Sequence, residues 1–435
     1  MNDDNNLSAT LAAATCALLG VGAAAPAVAE ETEQWSFDTA LLYYGESDDR
    51  VQDVSATIGA QRAFDDDRHL NLTLTADTLT GASASGAIAT NQPQTFTSPS
   101  GRAVYSTPAG DIPLDDTFKD TRFALNAGWT QPLARLYTLS AGLGFSTEYD
   151  YTHLGANLSL ARDFNKRNTT VNAGLAWSQD DIDPVGGAPV PLSQMRDVGD
   201  LSNKRSSDTK DVLDVLLGFT QVLSRSTLLR VNYSYSQSSG YLNDPYKILS
   251  VVDGTTGDTI LRVPAPGVQG PTGVNLYESR PDSRAKHSLY AEMKHAFGAP
   301  VLYGSYRFMT DDWGIDSHTG EVRLRWPVGG ASYLEPQLRY YMQSQADFYR
   351  PSLVQGAALP AYASADFRLG EFDAVTVGVK FGHQTAGGNE WSARLEYYQQ
   401  SGTIAREQLI GNQFAREQYP DLSAVIAQFG YRFRL

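Results

Sequence analysis

The stretch AVIAQFGYRFRL, residues 424–435, closes the sequence and decides the fold. Its alternate residues form two sets, one apolar and aromatic and the other mostly polar or small. A period of two is typical of a β-strand with unlike faces. A strand of this kind that runs to the last residue favours the closing strand of an outer-membrane β-barrel, with one face toward lipid and one toward the lumen. The apolar set is Leu435, Phe433, Tyr431, Phe429, Ala427 and Val425, and the other set is Arg434, Arg432, Gly430, Gln428 and Ile426.

The same alternation recurs along the 435 residues, whereas helical periodicity is scarce. Clear examples are FALNAGW at 123–129, VNAGLAW at 171–177, LRVNYSY at 229–235 and VTVGVKF at 375–381. One such segment is weak support for a strand, but about sixteen in one chain indicate an all-β protein. The predicted fold class is therefore a transmembrane antiparallel β-barrel.

The connections between these segments fall into two length classes. Tight turns alternate with connections that are often long, which is the asymmetry of an outer-membrane barrel with turns in the periplasm and loops outside. With both termini in the periplasm the strand number is even. We predict about sixteen strands, with fourteen or eighteen as alternatives. Turns are predicted at 64–68, 131–134, 163–167, 223–226, 297–300, 327–330 and 385–389, and long loops near 80–117, 180–209, 238–284, 345–372 and 401–421.

The segment YASADFRL at 362–369 alternates like a strand, but it is assigned to the loop at 345–372. An extra strand there would send the closing strand in the wrong direction. Tryptophans support the strand ends: Trp35, Trp129 and Trp326 fall on the turn side, where an interfacial aromatic girdle is expected.

The first residues have the composition of a secretory signal peptide. Residues 7–29 are uncharged, and Ala27 and Ala29 are the small residues that cleavage before Glu30 requires, although the preceding MNDDNN is acidic where such peptides are usually basic. We predict a signal peptide at 1–29 and an outer-membrane β-barrel at 30–435.

Composition excludes several classes of function. The net charge of −15 argues against nucleic acid as a partner, because phosphates require a basic surface. Cys16 is the only cysteine, so a processed chain would have no disulfide and no thiolate metal site. None of the 6 histidines has metal-ligand spacing, and Ser317 and His318, as neighbours in a strand, would point to opposite faces. We therefore expect no metal, no cofactor and no enzymatic activity.

Charged residues recur on the polar face of the later strands, where they must point into the lumen. One interpretation is a lattice of salt bridges that stiffens or fills the pore. The other is a basic constriction that selects anions, as rings of Arg or Lys can do. The lumen-lining candidates are Glu292, Lys294, Arg307, Glu321, Arg323, Arg325, Glu335, Arg339, Arg394, Glu396, Arg432 and Arg434.

The chain resembles a bacterial family of outer-membrane barrels that is classed only as a domain of unknown function. The resemblance is carried by YRFMTDDWGI (306–315), LEPQLRYYMQSQADFY (334–349), SADFRLGEFDAVTVGVKFG (364–382) and the closing strand. It implies the fold and the outer-membrane location, and it implies no substrate. Members of the family are expected beside genes for flavin transferases and small lipoproteins, which implies a redox-linked periplasmic partner.

Two functions are compatible with this sequence. The first is a porin-like channel for small hydrophilic solutes, with anions favoured if the basic wall sets selectivity. The alternative is a non-conducting barrel that docks a periplasmic or surface partner. In both cases the expected surroundings are outer-membrane lipid, lipopolysaccharide and the barrel-assembly machinery.

Overall fold

A computed structural model of the chain describes residues 34–48, 50–262 and 272–435. The predicted signal peptide at 1–29 lies outside these residues, so cleavage before Glu30 stays a prediction. None of the helical segments in the described ranges is long and apolar enough to cross a membrane.

Sixteen strands form one closed antiparallel barrel in which each strand pairs with its neighbours in sequence and the last pairs with the first. This confirms the predicted fold class and strand number. Closure leaves no unpaired strand edge, as a lipid environment requires. The strands are β1 (Trp35–Glu46), β2 (Gln52–Ala63), β3 (His69–Ala84), β4 (Leu114–Ala134), β5 (Tyr137–Thr147), β6 (Tyr151–Phe164), β7 (Thr169–Ile182), β8 (Asp208–Ser224), β9 (Thr227–Gly240), β10 (Ser283–Ala296), β11 (Val301–Asp311), β12 (Asp316–Val328), β13 (Ser332–Gln343), β14 (Glu371–Gln384), β15 (Glu390–Thr403) and β16 (Leu422–Arg434).

Large apolar side chains project from alternate positions on the outside of the barrel. Leu125 on β4 is 50% exposed, Leu175 on β7 is 56% exposed, and Phe429 on β16 is 51% exposed. These are the residues that the two-residue period assigns to the lipid face. The barrel is thus an integral outer-membrane protein whose wall is apolar outside and polar inside.

Seven turns and eight loops connect the strands, and the five longest loops are those predicted as long. Residues 362–369 lie inside the loop that joins β13 to β14, and Phe367–Leu369 form one turn of 3-10 helix there. The turns are 64–68, 135–136, 165–168, 225–226, 297–300, 329–331 and 385–389. The loops are 47–51, 85–113, 148–150, 183–207, 241–282, 312–315, 344–370 and 404–421.

The turn predicted at 131–134 is wrong in position. Strand β4 continues through Pro132 to Ala134, and the turn is residues 135–136. The pairing register of β4 with β5 shifts between Pro132 and Ala134, which is a β-bulge. A bulge accommodates proline because the residue cannot donate a ladder hydrogen bond.

Candidate functional site

Five long loops fold together over the loop-side mouth of the barrel. We call the described parts of loops 85–113, 183–207, 241–282, 344–370 and 404–421 the cap. A three-stranded sheet joins two of these loops: Ile248–Val252 pairs antiparallel with Asn275–Tyr277 and parallel with Ser352–Val354. Leu249 and Ala363 in the cap have no exposed surface, so the cap has an apolar core of its own.

Loop 241–282 reaches from one side of the mouth to the other. It leaves the wall at β9, yet the Ile248 backbone N–H donates to the Ser85 carbonyl oxygen just after β3, at 2.9 Å. Six strand spacings separate β3 from β9, which is about 28 Å along the wall. The same loop accepts a hydrogen bond at the Thr256 carbonyl oxygen from Asn412 N–H of loop 404–421, at 2.7 Å. The cap therefore covers the mouth and does not merely surround it.

Six buried charges hold loops 241–282 and 344–370 together, and we call them the ionic cluster. The members are Asp244, Lys247, Glu278, Arg280, Asp366 and Arg368. Arg280 lies 2.7 Å from Glu278 and 2.7 Å from Asp366. Arg368 lies 2.5 Å from Asp244 and 2.5 Å from Asp366. Three carboxylates balance three cations, which is the condition under which buried charge is tolerated.

Burial and pairing shift the ionisation of these cap residues. Burial alone would raise the pKa of Asp366, but Arg368, Lys247 and Arg280 hold that pKa well below its usual range. Burial raises the pKa of Glu278 to about 7, against the opposing attraction of Arg280. Glu278 is therefore the acid of the cluster that titrates near neutral pH.

A cavity of about 690 Å³ lies in the lumen directly beneath the cap. Phe367, Arg368 and Leu369 of loop 344–370 line it from the cap, and inward side chains of β9 to β16 and of β1 line its wall. This volume is typical of sites that bind small molecules. Cations outnumber carboxylates among the charged residues of this lining. It comprises the cations Arg284, Lys286, Arg307, Arg323, Arg339, Arg368 and Arg394, and the carboxylates Glu321 and Glu396.

The sequence candidates occupy three places in the lumen. Arg432 lies apart from the first cavity and lines a second lumen cavity of about 420 Å³ on the turn side, with Lys380 and Glu390. Six candidates line the cavity beneath the cap: Arg307, Glu321, Arg323, Arg339, Arg394 and Glu396. The remaining five share the inward alternation of their strands without lining either cavity: Glu292, Lys294, Arg325, Glu335 and Arg434.

Several of these charges pair with one another along the wall. Arg323 lies 2.8 Å from Glu321 and 3.6 Å from Glu335, on the neighbouring strand. Arg394 lies 3.3 Å from Glu396 on the same strand. Similar short ion pairs join Lys294 to Glu292 at 3.5 Å and Arg432 to Asp38 across the barrel seam at 2.7 Å. Part of the wall is thus the salt-bridge lattice that the sequence suggested.

Two arginines of the cavity stand outside this lattice. Among the described residues, no carboxylate lies within 4.0 Å of the Arg307 or Arg339 guanidinium. Both side chains are exposed within the lumen. Arg307 packs against the Tyr290 ring at 5.5 Å from the ring centre. Their hydrogen-bond donors are available to an anionic solute.

Sequence reasoning missed three cations of the cavity. Arg284 and Lys286 lie on β10 at the same alternation as the candidate Glu292, so the pattern of SRAKHSLY contained the signal. Arg368 comes from a loop, where no periodicity indicates which way a side chain points.

Acidic residues also meet at the loop-side rim, where carboxylate oxygens of Asp120, Glu148 and Asp150 lie within 4.8 Å of one another. Asp120 belongs to the acidic stretch DIPLDDTFKD at 111–120, whereas Glu148 and Asp150 come from the short loop after β5. Asp120 already accepts hydrogen bonds from the backbone N–H groups of Thr121 and Tyr149, at 2.7 and 3.2 Å.

Sequence comparison gives one family for nearly the whole chain. Residues 8–433 match the family described as Protein of unknown function (DUF3570). Comparison with curated proteins gives no match.

Comparison with solved structures gives partial matches of low sequence identity. A mutant of the ferric enterobactin receptor PfeA from Pseudomonas aeruginosa is 9% identical, with a TM-score of 0.42 over 85% of this chain and 54% of the receptor. The siderophore receptor PirA from Acinetobacter baumannii is 10% identical, with a TM-score of 0.40 over 85% and 53%. A bacterial polysaccharide outer-membrane secretin is 10% identical, with a TM-score of 0.42 over 93% and 99%. The chain spans about half the length of the receptors.

Proposed function

Because this chain belongs to the family described as Protein of unknown function (DUF3570), which assigns no substrate, we propose a function from the lumen itself. The barrel is a porin-like channel for small hydrophilic anions, and the cap regulates entry at the outer mouth. In this proposal the protein is a passage and not an enzyme. Lipopolysaccharide and lipid surround it, and the barrel-assembly machinery inserts it.

One observation carries the proposal: of the seven cations that line the cavity, Arg307 and Arg339 have no carboxylate partner among the described residues. The other arginines of the lining, Arg284, Arg323, Arg368 and Arg394, are each paired with a carboxylate. An excess of arginine in a narrow aqueous space raises the local concentration of anions and repels cations. The paired arginines contribute less because their carboxylates neutralise them.

The second candidate is a non-conducting barrel that docks a surface or periplasmic partner. The cap favours it, because a folded layer with buried residues across the mouth is more than a simple pore needs. The redox or flavin link of such a partner remains an expectation from the family resemblance.

Conductance of the purified protein in planar bilayers separates the two candidates. A channel conducts, and its reversal potential in a salt gradient indicates preference for chloride. The double variant Arg307→Gln with Arg339→Gln should lose most of this preference. Arg434→Gln is the matched control, because this arginine lies outside both lumen cavities and its loss should leave selectivity unchanged.

A silent wild-type protein needs one further variant. Arg368→Gln removes two ion pairs of the ionic cluster and should loosen the cap. Conductance in that variant alone supports a channel closed by the cap. Silence of both proteins, after each is verified as a folded barrel, contradicts the channel and favours docking.

A further inference from the structure

A row of four outward side chains marks the turn-side end of strands β1 to β4. Trp35 pairs with Arg62, Arg62 with Leu70, and Leu70 with Trp129 across adjacent strands. We call this row, with turn 64–68 beside it, the rim site. It lies next to the barrel seam, because Trp35 also bonds to Leu435.

Arg62 shares the lipid-facing side of β2. Val54 and Ile58, at the same alternation, are 51% and 50% exposed on the outside of the wall. The eight residue steps from Val54 to Arg62 rise roughly 20 Å along the membrane normal for a strand tilted by about 40°. That is close to the height of the apolar band, so Arg62 lies at the level of the lipid headgroups on the periplasmic side.

The Arg62 guanidinium is held by rings and has no acceptor. Its Cζ atom lies 5.7 Å from the centre of the Trp35 ring and 5.1 Å from that of Phe64. Among the described residues no hydrogen-bond acceptor or carboxylate contacts it, and its Nε atom is buried without a partner. A cation at headgroup height with unused donors is suited to a phosphate.

Carboxylates follow directly beyond this arginine. Turn 64–68 reads FDDDR, and Asp65, Asp66 and Asp67 are all exposed. Arg68 pairs with Asp66 at 2.6 Å, which leaves Asp65 and Asp67 without a cationic partner among the described residues. These two carboxylates lie further from the hydrocarbon than Arg62, since the turn projects into the periplasm.

We propose that the rim site binds the headgroup of phosphatidylethanolamine from the periplasmic leaflet. The phosphodiester accepts hydrogen bonds from Arg62, and the ammonium group donates to Asp65 and Asp67. The order of charges matches the lipid, in which the phosphate is nearer to the acyl chains and the amine further out. A glycerol headgroup offers no cation to the aspartates, and a choline headgroup offers no N–H donor.

A second arginine at the same rim supplies a matched control. Arg162 at the end of β6 packs 5.1 Å from the Tyr137 ring centre and 4.6 Å from that of Phe164. The turn after it contains Lys166 and Arg167 in place of aspartates. This site should bind phosphate-bearing lipids without any preference for ethanolamine.

Native mass spectrometry of the purified full chain tests the proposal, with phosphatidylethanolamine, phosphatidylglycerol and phosphatidylcholine of matched acyl chains. Wild-type protein should retain phosphatidylethanolamine most strongly. Arg62→Gln should weaken that binding by about tenfold, the worth of one charge-assisted hydrogen bond. Arg62→Lys should keep part of it. Arg162→Gln should lower the retention of all three lipids to the same extent and leave the preference for phosphatidylethanolamine unchanged.

The carboxylates are tested separately. Asp65→Asn with Asp67→Asn should abolish the preference for ethanolamine over choline while phosphate-dependent binding through Arg62 remains. Each variant is first verified as a folded, heat-modifiable barrel. Equal binding of the three lipids by the wild-type protein, or full retention of phosphatidylethanolamine by Arg62→Gln, would overturn the proposal.

Discussion

Trp35 and Leu435, near opposite ends of the chain, exchange two backbone hydrogen bonds. The Trp35 N–H donates to the Leu435 carbonyl oxygen at 3.1 Å, and the Leu435 N–H donates to the Trp35 carbonyl oxygen at 2.9 Å. Two residues further in, the Phe37 and Phe433 rings stack with centres 5.1 Å apart. The barrel seam is thus paired through to the final residue.

Deletion of residues 433–435 should prevent assembly. It removes the exchanged hydrogen bonds and the Phe433 ring, and it exposes unpaired backbone of β1 to lipid, where each unpaired group costs several kcal/mol. The measurement is the heat-modifiable band of the membrane fraction on gels. Leu435→Phe keeps the backbone pairing and an apolar side chain, so it should assemble normally; a compact band from the deleted chain would refute the argument.

The lipid and lumen faces of β12 are tested by two neighbouring substitutions. Leu324 alternates with Val322 and Trp326, which are 52% and 56% exposed on the outer wall. Leu324→Arg therefore puts a charge against acyl chains and should cost about 2–4 kcal/mol of folding free energy. Arg325→Leu removes an inward cation that stacks on the Tyr333 ring at 3.6 Å and should cost much less.

The measurement for this pair is equilibrium unfolding in lipid vesicles. The ion pairs of Arg323 with Glu321 and Glu335 do not include Arg325, so Arg325→Leu leaves neither carboxylate unpaired. Equal losses of stability in the two variants would mean that the register of β12 is wrong by one residue and that its lipid and lumen faces are misassigned.

The strands were predictable because lipid on one side and water on the other impose a period of two on every strand. The pattern fixes which face each residue takes, and Leu125 and Phe429 lie outside as expected. The requirement for an even number of strands then decided between sixteen and seventeen, since a strand at 362–369 would have reversed the direction in which the closing strand crosses the membrane. A turn position was predicted wrongly where a bulge at Pro132 lets the strand continue past a proline that was expected to end it.

The cap could not be predicted in the same way. Its contacts join residues far apart in sequence, such as Arg368 with Asp244 and Ile248 with Ser85. The local periodicity of the sequence does not predict such contacts. The lumen could be predicted in part. Alternation identified the inward charges, but whether Arg323 is paired and Arg307 is not depends on cross-strand neighbours.

Removal of one arginine should open the ionic cluster. Arg368→Gln leaves Asp244 without its ion pair and deprives Asp366 of one of its two, and breaking a buried pair from one side costs about 3–5 kcal/mol. Limited proteolysis should then cut loop 344–370 faster while the barrel stays intact. Arg350→Gln is the control in the same loop, because the Arg350 side chain donates only to backbone carbonyls near the surface. Unchanged cleavage in the Arg368 variant would contradict a locking role for the cluster.

Acidification should tighten the cap through Glu278. Burial raises the pKa of Glu278 to about 7, whereas an opened cap would return it toward its ordinary value of 4.5. The closed cap therefore binds the proton more tightly than the open one. Its extra stability is fully present below about 4.5 and is lost as pH rises through about 7.

The groups that face Glu278 decide how this is measured. Asp244 and Asp366 have pKa values below their usual range and so stay ionised through this window. Burial lowers the pKa of Lys247, so this residue destabilises the closed cap as pH falls, which is opposite to the effect of Glu278. Burial raises the pKa of Tyr241, which therefore stays neutral. The variant Glu278→Gln, which resembles the protonated acid, therefore isolates the Glu278 contribution from that of Lys247.

Hydrogen exchange of the amides in 272–280, corrected for intrinsic rates, gives the readout. Protection in the wild-type protein should increase as pH falls from about 8 to about 5, by at most about tenfold per pH unit for one titrating group. Glu278→Gln should be protected strongly throughout and lose most of this dependence. Protection that falls on acidification in the wild-type protein, or an unchanged dependence in Glu278→Gln, would remove Glu278 as the titrating group of the cap.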